Sequence, residues 1–107
     1  MWKPFKNGTT LGLNGPESGE TIRDEEHVQG ARITLEKNTS IAPFAITCGI
    51  YGWMVHSRFF ATEGEAVAEY DKMRASLSEI VERFSDPNYD DRRATQEAVE
   101  AFVETYP

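Results

Sequence analysis

The side chains with the greatest chemical reach gather in AITCGIYGWMVHSRFF, residues 45–60. Cys48, the chain's one cysteine, could act as a nucleophile if a histidine served as its base. His56 and Arg58 stand two residues apart, the spacing that points strand side chains the same way, and an arginine beside a histidine can clamp a carboxylate or phosphate. Tyr51, Met54, His56 and Arg58 are therefore the ligand-binding set that the sequence offers. Arg58 is the only formal charge between residues 41 and 60.

Each of these groups also has a plain structural role. A thiol among apolar neighbours is raised in pKa and inert. Arg58 has many carboxylates with which to pair, since the chain carries 18 acidic residues against 11 basic ones. Upstream, DEEHVQ (24–29) sets three carboxylates before His27, which could suggest a divalent metal. Consecutive residues on an extended chain point to alternating sides, however, and one histidine beside acids matches no known ligand spacing. A solvated acidic loop, with no metal and no cofactor, is the expectation there. No catalytic constellation is specific enough to make the chain an enzyme.

The elements that must position these groups are legible from periodicity. In ARITLE (31–36), Ala31, Ile33 and Leu35 alternate with Arg32, Thr34 and Glu36, which is a half-buried strand. KNTS (37–40) is a turn by composition, so residues 31–36 and 41–48 should pair as a hairpin. For residues 44–60 two arrangements stay open. A turn at GIYG would bring Cys48 opposite Trp53 and Ile46 opposite Val55, leaving Met54, His56, Arg58 and Phe60 on the outward face. The other is a single long strand bent at Gly49 or Gly52.

After Phe60 the period changes from two to 3.6. Thr62-Glu63-Gly64-Glu65 resembles a capping box, and Ala66, Tyr70, Met73, Leu77, Ile80 and Phe84 recur at helical spacing, with Val67 and Val81 widening the stripe. This helix should end near Ser85, before Asp86-Pro87-Asn88. A second should start at Asp90 or Asp91 and bury Ala94, Ala98, Val99, Phe102, Val103 and Tyr106. The expected fold is α+β: an antiparallel β-meander of three or four strands (about residues 22–60), then two helices (about 63–85 and 91–105) packed on one face. Residues 1–20, with four of the eight glycines, read as an irregular N-terminal arm before a single domain at 21–107.

Composition bounds the function. The net charge of −7, with basic residues scattered, disfavours nucleic acid and anionic membranes as partners. Neither a secretory signal nor a membrane span is legible, so a cytoplasmic setting is expected. The sequence reads as a small acidic soluble domain acting as a non-catalytic binding or protein-interaction module. Two alternatives stand beside it. One is a small-molecule enzyme or ligand-binding protein with a pocket between sheet and helices near His56 and Arg58, taking a small anionic ligand. The other is an acidic inhibitor, of the immunity type, for a basic protein partner. A homodimer is also expected, because Tyr51, Met54, Phe60, Trp2 and Phe5 cannot all lie under two helices.

Overall fold

Alternation in the central strand divides the molecule into two layers of different chemistry. The computed structural model describes residues 1–84 and 91–107. Five strands, β1 (Trp2–Pro4), β2 (Glu20–His27), β3 (Ala31–Lys37), β4 (Phe44–Ile50) and β5 (Met54–Phe60), form one antiparallel sheet in sequence order. Helices α1 (Glu63–Phe84) and α2 (Arg92–Thr105) follow. The α+β architecture is as the sequence implies, with one strand more. The additional strand comes from the arm expected to be irregular, where Trp2 pairs with His27 and Pro4 with Glu25.

On the helix side, Ala31, Ile33 and Leu35 stand opposite Ile50, Cys48 and Ile46. Against them α1 lays Ala66, Tyr70, Met73, Leu77 and Val81, all buried, and α2 adds Val99 and Phe102. Ile80, at helical spacing with these, is only partly buried at the margin of the cluster. The start of α1 is fixed by Thr62, whose hydroxyl accepts from the Glu65 amide at 3.3 Å and donates to the Glu65 carboxylate at 3.1 Å. Asp91 caps α2, accepting from the Ala94 amide at 3.0 Å. The expected stop at Ser85 and Asp86-Pro87-Asn88, and Asp90 as an alternative start, lie outside the described residues. No helix among the described residues is long and apolar enough to cross a membrane.

The β4–β5 connection decides which side chains meet the helices. The Ile50 carbonyl accepts from the Trp53 amide at 2.9 Å, and Gly52 takes the left-handed φ of 82° that this turn requires. The loop is Tyr51-Gly52-Trp53, so Cys48 pairs with His56 and Ile46 with Arg58. This corrects the pairing of Cys48 with Trp53. The register differs by three residues, an odd number, and an odd shift exchanges the two faces of a strand. Met54, His56, Arg58 and Phe60 therefore face the helices rather than outward.

Across the sheet, the arm packs on the second face of β2 and β3. It turns on itself through hydrogen bonds between Gly12 and Thr21, Leu13 and Thr21, and Gly15 and Gly19. Buried large-to-small changes remove transfer energy and leave a cavity, so Leu77→Ala should cost about 2–5 kcal/mol. Ile80→Ala should cost clearly less, since its side chain keeps some contact with water. Urea midpoints check both; equal losses at the two positions would contradict the packing face.

Candidate functional site

The sequence's candidate site separates in the structure into a buried cluster and a surface tyrosine. Cys48 and His56 are cross-strand partners under the helices. No hydrogen bond joins them among the described residues. Burial pushes the Cys48 thiol up to about 12, against a smaller opposing pull from the Arg58 charge. The His56 Nε2 meets the Tyr106 carbonyl and so carries the proton it donates. Arg58 Nη1 donates to Glu69 Oε1 at 2.9 Å and to the Met73 sulfur at 3.5 Å, with the Phe60 and Tyr106 rings beside it. The Arg58 hydrogen bond, foremost, holds the Glu69 carboxyl below its ordinary range. Met54 packs on the core.

Tyr51 is on the other side of the sheet, half exposed, and its hydroxyl donates to Glu26 Oε2 at 2.6 Å. Desolvation first, and then this carboxylate, raise its phenol to about 12. His56 and Arg58 thus share a neighbourhood that Tyr51 does not enter, while Met54 and Tyr51 both border the cleft beside the hairpin.

The acidic segment is a strand rather than a solvated loop. Alternation along β2 sends Asp24 and Glu26 to the second face and Glu25 and His27 to the helix face. Glu25 accepts from the Tyr70 hydroxyl at 2.9 Å and from Arg23 and Arg74 at 3.2 Å each. The His27 Nδ1 accepts from the Gln29 amide at 3.0 Å, while Nε2 lies 2.7 Å from the Met1 amino group and 3.2 Å from Glu82 Oε1. Among the described residues no three His, Cys, Asp or Glu side chains gather as metal ligands would.

Two buried carboxylates organise the second face. Asp24 receives Arg32 Nε at 3.0 Å and Nη2 at 2.8 Å, together with the Thr10 and Thr34 hydroxyls. The Arg32 guanidinium also stacks on the Phe5 ring at 3.6 Å. Glu36 is wholly buried and accepts from the Glu17 and Gly19 amides at 3.0 Å. A Cβ at Gly15 would stand 2.4 Å from the Glu36 carboxyl carbon, so the arm approaches this closely only as glycine. Between the arm and the β4–β5 hairpin runs a cleft of about 300 Å³ lined by Pro16, Arg32, Thr34, Thr47, Tyr51 and Val55. It is open to solvent on the face opposite to His56 and Arg58.

Comparison with protein-family models, curated proteins and solved structures returns no match. What the arrangement can do chemically is therefore read from the geometry alone. The thiol is buried, and both imidazoles and the Arg32 and Arg58 guanidiniums have partners within the fold. The residues that sequence reasoning missed, Asp24, Arg32, Thr47 and Ser57, are polar positions of alternating strands. Their only signal was parity, which could be read once the turn length was known.

Two outcomes follow from these burials. Cys48 should label slowly with a thiol reagent at neutral pH in the folded state and fast in denaturant. Because its folded pKa lies above the ordinary 9.0, its contribution to stability is complete below pH 9 and is lost as pH climbs towards 12. Rapid native labelling would contradict this. Glu36→Ala leaves two amides without their acceptor, at about 1–3 kcal/mol each. Limited proteolysis should then cut within residues 10–19 well before the helices, and an unchanged arm cleavage rate would overturn its role.

Proposed function

We propose that this domain is a non-catalytic protein-interaction module that works through the β5 side of its sheet, with a second copy of itself as first partner. The carrying observation is the contrast between the two sheet edges. Edge β1 has three residues and includes Lys3 and Pro4, the charge and the missing amide by which proteins blunt an edge. Edge β5 has seven residues with no lysine, proline or register shift. Two of its three outward side chains are apolar and exposed, Val55 at 81% and Phe59 at 40%, with Ser57 between them.

Several features support this reading. None of the 18 acidic residues falls between residues 41 and 60, and the two carboxylates that reach β5 from elsewhere, Glu17 and Glu69, are held by Ser57 and Arg58. The groups that could perform chemistry are engaged in holding the fold. The single cysteine suits a reducing compartment, and the cytoplasm is the setting we propose. The acidic remainder of the surface favours a basic protein as a further partner.

A second reading, a small-ligand protein, draws on the cleft beside Arg32 and Tyr51, whose volume is at the lower end for such sites. Arg32 would meet an anion there, but its charge is already matched by Asp24, with Glu26 close by on Tyr51. The protein partner fits this surface better.

Sedimentation equilibrium at micromolar concentration should return about twice the 12.1 kDa chain mass. Val55→Lys, at an exposed position where substitution changes monomer stability by about 0.5 kcal/mol or less, should return the monomer. A wild-type monomer mass persisting to about 100 μM, weaker than a specific interface of standard size gives, would overturn the reading.

A further inference from the structure

An edge that recruits a second copy must pair in one register, and the residues of β5 select it. Resting on the interaction reading above, we infer that two copies join β5 to β5 antiparallel about a two-fold axis at Ser57, forming one continuous ten-stranded sheet. In a two-fold antiparallel pair, every residue before the axis meets the residue equally far beyond it. Facing residues must also lie on one side of the sheet, so the axis falls at a residue and not between two. The seven residues Met54–Phe60 have Ser57 at their centre. Only that axis pairs all seven. Moving it to His56 takes Phe59 and Phe60 beyond the strand's partners, and moving it to Arg58 does the same to Met54 and Val55.

The pairs so formed are chemically matched. On the open face Val55 meets the partner's Phe59, an aromatic against a β-branched side chain, which is among the favourable cross-strand pairs. On the helix face Met54 meets the partner's Phe60. His56 meets the partner's Arg58, and each of these already has its own acceptor, the Tyr106 carbonyl and Glu69.

The axis itself falls at the end of a polar row. Asp24, Thr34, Thr47 and Ser57 are consecutive cross-strand partners over four strands. Thr34 donates to Asp24 at 3.2 Å, and the Thr47 and Ser57 hydroxyls are 3.2 Å apart. The row of strand partners ends at Ser57, whose hydroxyl donates to Glu17 Oε1 of the arm at 2.9 Å. At the axis the two Ser57 residues face each other, each hydroxyl keeping its donation to Glu17, while unpaired backbone groups on both edges complete each other's ladder.

Site-specific cross-linking of the full chain tests this. Facing Cα atoms in an antiparallel pair are about 4.5–5.5 Å apart, within the roughly 4.4–6.8 Å that a disulfide spans. Ser57→Cys should therefore form a covalent dimer under oxidised glutathione, at least tenfold faster than Val55→Cys. In this register Val55 is about 13 Å from the partner's Val55, four residues along the strand. A mixture of Val55→Cys and Phe59→Cys chains should cross-link as the mixed dimer. That pair also guards against loss of the Ser57 hydrogen bonds to Thr47 and Glu17 in the first variant. The wild type, with Cys48 buried, should not cross-link. A dimer mass in sedimentation with neither Ser57→Cys nor the mixed pair cross-linking overturns the register and leaves the interaction reading standing. A monomer mass overturns both.

Discussion

The fold turns on a carboxylate that cannot reach water. Glu36 lies in the central strand, on the face that the helices do not cover, and is fully buried. Burying a charge without partners costs far more than a domain of this size can bear, so the surroundings must supply donors. The Glu17 and Gly19 amides do so, and the arm that carries them is held against the sheet as a result. Gly15 permits the close approach, and Asp24 repeats the device one strand away with Thr10 and Arg32. The protein thus has an apolar core beneath its helices and a hydrogen-bonded layer beneath its arm, both resting on β3.

Much of the first layer was legible in the sequence. The capping residues Thr62 and Glu65 and the spacing of Tyr70, Met73 and Leu77 mark α1 through local rules. So does the alternation of Ala31, Ile33 and Leu35 in β3, because each signal and its cause lie within a few residues. The second layer was not legible, because its causes are distant in sequence. Nothing near Trp2 announces that it will pair with β2, pack edge-on against His27 at 5.2 Å and donate to Ser78 at 2.6 Å. Nothing near Asp24 says that a strand carrying three acids will find Arg32, Tyr70 and Arg74 to satisfy them. Composition read that segment as a loop, and tertiary partners made it a strand.

The face on which the candidate residues lie departs from the sequence reading for a narrower reason. Their spacing was read correctly, with His56 and Arg58 on one side of a strand, and only the side was wrong. One turn residue more or fewer reverses every side chain downstream, and a tyrosine-glycine-tryptophan loop cannot be told from its two-residue rival by composition. Parity therefore carried Arg58 inward to Glu69 and left Val55 and Phe59 as the exposed residues of β5.

The order of the strands bears on how the chain finds this arrangement. From β2 to β5 each strand lies beside its neighbour in sequence across a short connection, so little chain entropy is lost in closing each loop. The arm reverses that economy: the Glu17 carboxylate reaches Ser57 across 40 residues, and Trp2 reaches Ser78 across 76. Such contacts are the slow ones in a folding chain, because the ends must meet before anything rewards them. Until the arm docks, the carboxylates of Asp24 and Glu36 stay hydrated on the uncovered sheet. Water is thus the partner that the second layer gives up on folding, exchanged for the amides and hydroxyls that the first twenty residues bring to Asp24 and Glu36.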